Sequence, residues 1–162
     1  MNVWMSMLEI KCIEKYIKGK KTMLEWGAGG STLHFSKFVK NYYSIEHNAE
    51  WFESVKKNIP DNVQIHHVPS DSPRTIPTQK HQFETYINYI DTIGIPKYDC
   101  ILIDGRGRGW CAEKALNYID DDSIVFIHDY FNRPNYFIVE DWYEKIDEVR
   151  NTQQTVVVFK KK

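Results

Sequence analysis

Four short apolar runs in this chain each end in ionisable side chains, and the carboxyl ends of strands are where an open parallel sheet meets its ligand. Met23-Leu24 leads to Glu25, Tyr42-Tyr43-Ser44-Ile45 to Glu46, Ile101-Leu102-Ile103 to Asp104, and Ile124-Val125-Phe126-Ile127 to His128 and Asp129. After the first run comes the cluster Gly27-Ala28-Gly29-Gly30-Ser31-Thr32. Glycines there let the backbone turn sharply after a strand and approach a ligand more closely than any side chain permits. Glu46 falls about 20 residues beyond that loop, the distance at which the second strand of a βαβ unit sets an acid against ribose hydroxyls. Its two oxygens can accept both hydroxyl protons, and His47 stands beside it. The spacing departs from the dinucleotide fingerprint, whose third glycine place is held here by Thr32.

These residues need a scaffold, and the pattern of the chain predicts one. Apolar β-prone runs mark strands at 22–26, 42–46, 63–68, 98–104, 123–128 and 154–159, and helical spacing marks 6–18, 32–39, 49–58, 110–118 and 136–149. The alternation gives an α/β fold: a Rossmann-like, doubly wound, mainly parallel sheet of about six strands with helices on both faces. Residues 1–162 form a single domain in this reading, and the four acids and the imidazole gather along one edge of its sheet. The segment 69–97 breaks the rhythm. Phe83, Tyr86, Ile87 and Ile90 fall at helical spacing and read as a helix packed on the sheet, while 72–82 reads alternatively as a lid or acceptor-binding segment with tyrosines as a platform.

In this order the motifs resemble the class I S-adenosylmethionine-dependent methyltransferases, whose first glycine loop reads acid, any, glycine, any, glycine and whose next strand ends in an acid. Glu25-Trp26-Gly27-Ala28-Gly29 and Glu46 match, and the resemblance runs over residues 22–159. It implies that the loop from Gly27 through Ala28 and Gly29 to Ser31 and Thr32 holds the methionine portion of S-adenosylmethionine. It further implies that Glu46 and His47 meet the ribose, that Asp71 meets the adenine edge, and that Asp104 closes the cofactor site.

Methyl transfer from a sulfonium is a direct displacement, so the protein must align the acceptor and, for a hydroxyl, remove a proton. Two remedies fit Asp104, His128 and Asp129: a histidine base, or a divalent cation such as magnesium. The chain resembles small metal-dependent sugar and catechol O-methyltransferases, in which acids after the fourth and fifth strands hold magnesium. Asp104 and Asp129 match those positions, and His128 departs from them, since a nitrogen ligand suits magnesium poorly. The preferred reading makes His128 the general base, with Asp104 and Asp129 orienting it or binding the cation. Arg106, Tyr130 and Arg133 are the acceptor contacts, because arginine forks grip carboxylates, phosphates and sugar hydroxyls. Arg108 reads as part of a solvated loop. The Asn/Asp-Pro-Pro-aromatic signature that resembles methylation of base amino groups is absent from these strand ends, which favours oxygen over nitrogen as the acceptor.

Composition narrows the partners. A net charge of −1 over 162 residues advertises no polyanion-binding field, so nucleic acid is disfavoured and a small-molecule or glycan acceptor is expected. Cys12, Cys100 and Cys111 show neither paired spacing nor an even number, which argues against a disulfide framework or a zinc site and for reduced thiols in a cytoplasmic protein. No leading apolar segment resembles a signal peptide, and no run reaches the roughly 20 residues that span a bilayer. The expected activity is therefore O-methylation of a small hydroxylated acceptor, preferably a sugar of a glycan. Two rivals stay open: a degenerate methyltransferase-like binding or scaffold module, and a nicotinamide-dependent oxidoreductase. The missing third glycine counts against the latter, and acids at three strand ends count against the former.

Overall fold

Successive side chains of a strand go to opposite faces, and here both faces are apolar, so both must be covered. In the computed structural model, which describes residues 1–131, 133–151 and 154–162, that is what the helices do. β1 (Thr22–Trp26), β2 (Asn41–Glu46), β3 (Val63–His67), β4 (Cys100–Ile103) and β5 (Ile124–His128) pair in parallel in the order β3-β2-β1-β4-β5. β7 (Thr155–Lys161) joins β5 antiparallel, and β6 (Tyr143–Arg150) pairs antiparallel with β7 at the edge. Ile101 and Ile103 enter one core with Leu24, Trp26 and Tyr86, whereas Cys100 and Leu102 enter the other with Ile13, Phe35 and Val158.

α1 (Met7–Ile17) and α2 (Gly30–Phe35) cover the second core; α4 (Glu84–Asn88) and α5 (Arg108–Ala115) cover the first. α1 is nucleated by a capping box: Glu9 N donates to Ser6 Oγ while the Glu9 carboxylate accepts from Ser6 N at 2.7 Å. Its apolar stripe, Ile10, Ile13 and Ile17, is buried on the sheet. α3 (Ala49–Lys56) follows β2 and is capped by Asn48, whose side chain accepts from Trp51 N at 2.8 Å.

Among the described residues the sheet has seven strands where about six are expected from sequence. The difference lies in residues 136–149, predicted as one helix. They divide into a 3-10 stretch, Pro134–Asp141, and strand β6. Tyr136, Val139, Tyr143 and Ile146 are spaced three and four apart, which suits a helix, but β6 takes its backbone hydrogen bonds from β7, a partner that local periodicity does not encode.

In the 69–97 segment the expected helix forms in three short pieces, 3-10 turns Lys80–Phe83 and Tyr89–Thr92 on either side of α4, burying Phe83, Tyr86, Ile87 and Ile90. Residues 72–82 fold on themselves instead of over the strand ends: Gln82 Nε2 donates to Pro73 O at 2.6 Å, and Gln79 N donates to Gln82 Oε1 at 2.8 Å. No helix among the described residues is long and apolar enough to cross a membrane.

Candidate active site

A cavity of about 830 Å³ opens at the carboxyl ends of the parallel strands, where the order reverses between β1 and β4. Glu25, Glu46, Asp104, His128 and Asp129 all line it.

Its glycine-loop wall is held from beneath. The Glu25 carboxylate is fully buried and accepts from Ser31 Oγ, from Thr32 Oγ1 at 2.6 Å and from Tyr42 OH at 2.9 Å. Burial pushes the Glu25 carboxyl up to about 8 despite those three hydroxyls. Gly27 turns with φ +106°, donates to Ile45 O at 2.8 Å, and leaves its Cβ place within 3.1 Å of Gly105 N. Any side chain at Gly27 would press on the loop after β4, so glycine is required both by dihedral and by space.

Glu46 is nearly buried and fixed by backbone donors: Oε2 accepts from Ala28 N at 2.9 Å and Oε1 from Asn48 N at 2.7 Å, with His47 Nδ1 at 3.0 Å from Oε1. Each oxygen keeps a lone pair beyond its backbone bond, so the carboxylate is oriented and still able to accept hydroxyl protons. Trp51 donates from Nε1 to Ala28 O and lies 5.3 Å from the Trp4 ring, which is 73% exposed.

The other wall is a closed charge network. His128 Nδ1 lies 2.9 Å from Asp104 Oδ1, and Nε2 makes an ion pair with Glu9 Oε1 at 3.2 Å, off the hydrogen-bond line. Asp129 Oδ2 is 3.7 Å from Nδ1. Burial opposes the charge on His128, but Asp104, Glu9 and Asp129 outweigh it and raise its pKa to about 10. Burial likewise opposes ionisation of Asp104, yet the His128 bond and the charges of His128, Arg108 and Arg133 hold that carboxyl below its ordinary range. Glu9 is also held low against burial, by its ion pair with His128 and its bonds to Ser6.

Arg108, read from sequence as solvated, is buried: Nε donates to Gly105 O at 3.0 Å, Nη1 donates to His128 O, and Nη2 lies 3.4 Å from Asp104 Oδ1. It binds the ends of β4 and β5 together. Asp129 carries φ +53°, a left-handed conformation that aspartate tolerates better than most residues, and its Oδ2 lies 3.9 Å from Arg108 Nη1.

This geometry changes several sequence-based assignments. At neutral pH His128 is an imidazolium with a carboxylate on each nitrogen, so it has no lone pair with which to act as general base. Asp104 and Asp129 face two cations, and a magnesium ion between them would add positive charge beside His128 and Arg108. The residues do not fit that metal, and among the described residues no group of three or more His, Cys, Asp and Glu could hold one. Asp71 lies outside the cavity, exposed, its carboxylate accepting from Thr85 N at 2.9 Å and from Thr85 Oγ1 at the start of α4. Tyr130 is core, its OH on Glu140 at 3.1 Å and its ring against Phe159. Arg133 is exposed and stands 5.9 Å from the Tyr136 ring centroid, and of its sequence neighbours Asn132 lies outside the described residues. Thr32 is buried beneath the loop, while Gly27, Ala28, Gly29, Ser31, His47 and Arg106 reach the cavity.

Three contributors escaped sequence reasoning. Glu9 reaches His128 from α1; the spacing Ser6-Met7-Leu8-Glu9 marks a helix start but not that contact. Residues 2–5 form part of the cavity wall, with the Asn2 carbonyl against Gly30 so closely that a Cβ there would collide. Trp51 carried no signal beyond following Asn48.

No family model and no curated protein matches this sequence. Solved structures do. A methyltransferase-like protein from Silicibacter pomeroyi superposes with a TM-score of 0.76 at 20% identity, over 98% of this chain and 88% of that one. A TehB-like SAM-dependent methyltransferase from Corynebacterium glutamicum gives 0.65 at 15%, covering 95% and 87%. A tRNA (m1A58) methyltransferase from Aquifex aeolicus gives 0.70 at 14%, covering 99% of this chain and 70% of that one. At these identities the likeness establishes the fold, which is that of the class I methyltransferases.

Proposed function

We propose that this protein is an S-adenosylmethionine-dependent methyltransferase acting on a hydroxyl of a small acceptor. The observation that carries the reading is the cavity at the β1/β4 switch point, which joins an oriented Glu46 carboxylate, the glycine loop and the Asp104–Asp129 wall in one space. Shared fold with methyltransferases of differing acceptors supports the cofactor class and leaves the acceptor to the site itself.

When bound, the cofactor supplies a methyl group on a sulfonium, which needs an aligned nucleophile and no metal. Glu46 would accept the ribose hydroxyls, and the glycine loop would admit the methionine portion without side-chain interference. With His128 locked, Asp129 is the carboxylate open to the cavity that could take the proton of the acceptor's hydroxyl. A sugar is the preferred acceptor. The tyrosines of the 69–97 segment do not line the cavity, but Trp4 and Trp51 offer an aromatic face for a sugar ring at its wall.

Calorimetric titration with S-adenosylmethionine and S-adenosylhomocysteine, with NAD as control, tests the class. Micromolar binding of the sulfur ligands alone, on the order of −8 kcal/mol, is expected. NAD binding in their place would move the protein to the oxidoreductases. Glu46→Ala should weaken binding, and unchanged affinity would remove the ribose assignment. Asp129→Asn should lower turnover by about 10²–10⁴ with cofactor affinity unchanged. A binding module without turnover is the second reading, favoured by the closed Glu9–His128–Asp104 network; it expects cofactor binding with no methyl transfer to any hydroxylated acceptor.

A further inference from the structure

The acids on the far wall of the cavity are matched by cations, whereas Arg106, which also lines it, is matched by no acid among the described residues. Glu9, Asp104 and Asp129 face His128 and Arg108. Arg106 lines the same cavity half-buried, and its guanidinium has no hydrogen-bond or ion-pair partner among the described residues. Burial, together with the nearby charges of Arg74, Arg108 and Arg133, disfavours its cationic form. The 3-10 stretch Pro134–Asp141 that follows Arg133 packs on α5: a methyl placed on Gly109 would meet Tyr136 at 3.8 Å, and Arg133 stands over that ring. α5 itself opens at Gly107 without a side-chain cap, so its first-turn N–H groups add to the positive end.

Desolvating a guanidinium among like charges is unfavourable unless an anion completes the site. We infer that Arg106 forms an oxyanion subsite at the cavity rim, and that the methyl acceptor is a small molecule bearing a phosphate or carboxylate. The word acceptor rests on the methyltransferase reading above; the subsite does not. One unpaired guanidinium in the cavity of a chain whose net charge is −1 suits a single oxyanion better than the repeated phosphates of a nucleic acid, whose recognition takes an extended basic stripe. The subsite would hold the acceptor's charged group while its hydroxyl lies toward Asp129 on the same cavity.

The test is calorimetric or NMR titration with inorganic phosphate, phenyl phosphate and benzoate at low salt, on the wild type, Arg106→Gln, Arg106→Lys, Arg133→Gln and the control Lys11→Gln, with S-adenosylhomocysteine titrated in parallel. Phosphate affinity should fall about tenfold or more in Arg106→Gln, less in Arg133→Gln and Arg106→Lys, and stay unchanged in Lys11→Gln. S-adenosylhomocysteine affinity should be the same in all five proteins. Preference for phenyl phosphate or benzoate then assigns the acceptor's anion. Equal phosphate affinity in the wild type and Arg106→Gln would overturn the subsite. A loss of S-adenosylhomocysteine affinity in Arg106→Gln would give the guanidinium to the cofactor and overturn the acceptor inference. Tighter, steeply salt-dependent binding of a single-stranded RNA oligonucleotide would overturn the small-acceptor class. If phosphate binds through Arg106 while the sulfur ligand does not bind at all, the subsite stands and the methyltransferase reading falls.

Discussion

His128 lies beside two carboxylates and near a third, and that arrangement decides what it can do. An imidazole beside one acid is a base oriented for work; an imidazole between two buried acids is a cation that holds them apart. Because its folded pKa lies near 10 against 6.5 when unfolded, its contribution to stability is complete below pH 6.5 and disappears as pH rises through 10. Glu9 and Asp104, held low, act at the opposite end: their contribution is present above the ordinary carboxylate values of 4.5 and 3.8 and is lost as pH falls through their folded values. Glu25 has the reverse sign of these acids, since a carboxyl raised to about 8 destabilises the fold progressively between pH 4.5 and 8. Melting temperature measured against pH should therefore decline through both windows. Glu25→Gln should flatten the lower part and His128→Gln the upper part. At pH 7 His128→Gln should cost about 3–5 kcal/mol, because it strands buried acids. An unaltered decline above pH 7 in His128→Gln would remove the charged assignment.

At the scale of elements, the N-terminal segment does more than precede the first helix. Residues 2–5 close one side of the cavity, and Gln154 Nε2, just before β7, donates to Trp4 O at 3.1 Å, so a wall of the site depends on the entry to β7 as well as on α1. The capping box begins at Ser6, so removing residues 1–5 leaves α1 its own start. Such a truncation should retain the far-ultraviolet circular dichroism of the full chain while weakening S-adenosylhomocysteine binding about tenfold, 1.4 kcal/mol, through the lost wall. Equal affinity in the two proteins would show that the wall is dispensable. β6 likewise depends on contacts beyond its own span. Its hairpin with β7 is anchored by Tyr143, whose OH donates to Ala112 O of α5 at 2.7 Å, and that one bond ties the edge of the sheet to the helix that positions Arg108.

For the molecule as a whole, the sheet separates two cores of buried residues. Ile13 is buried on the α1 side and Ile103 on the α5 side, each fully. Ile13→Ala and Ile103→Ala should each cost about 2–5 kcal/mol in chemical denaturation. If the two cores are independent, the double variant should add within about 0.5 kcal/mol. A larger coupling would mean that strain passes through the sheet, and the site at its edge would then feel substitutions on either face.

Much of this was legible in the sequence because it is local. The strand Thr22–Trp26 was predicted to the residue, and the acids at the ends of β1, β2, β4 and β5 do share a cavity, since a parallel α/β sheet places all its carboxyl ends on one side. The seventh strand, the inert position of Asp71 and the burial of Arg108 were not legible. Each depends on a contact that local patterning does not encode: β7 for β6, Thr85 for Asp71, and Gly105, His128 and Asp104 for Arg108. The same holds for the protonation of His128. Sequence gives an imidazole its ordinary pKa of 6.5; only the tertiary fold brings Glu9 from 119 residues upstream to join Asp104 and Asp129, where the three acids outweigh desolvation and turn the expected base into a fixed cation.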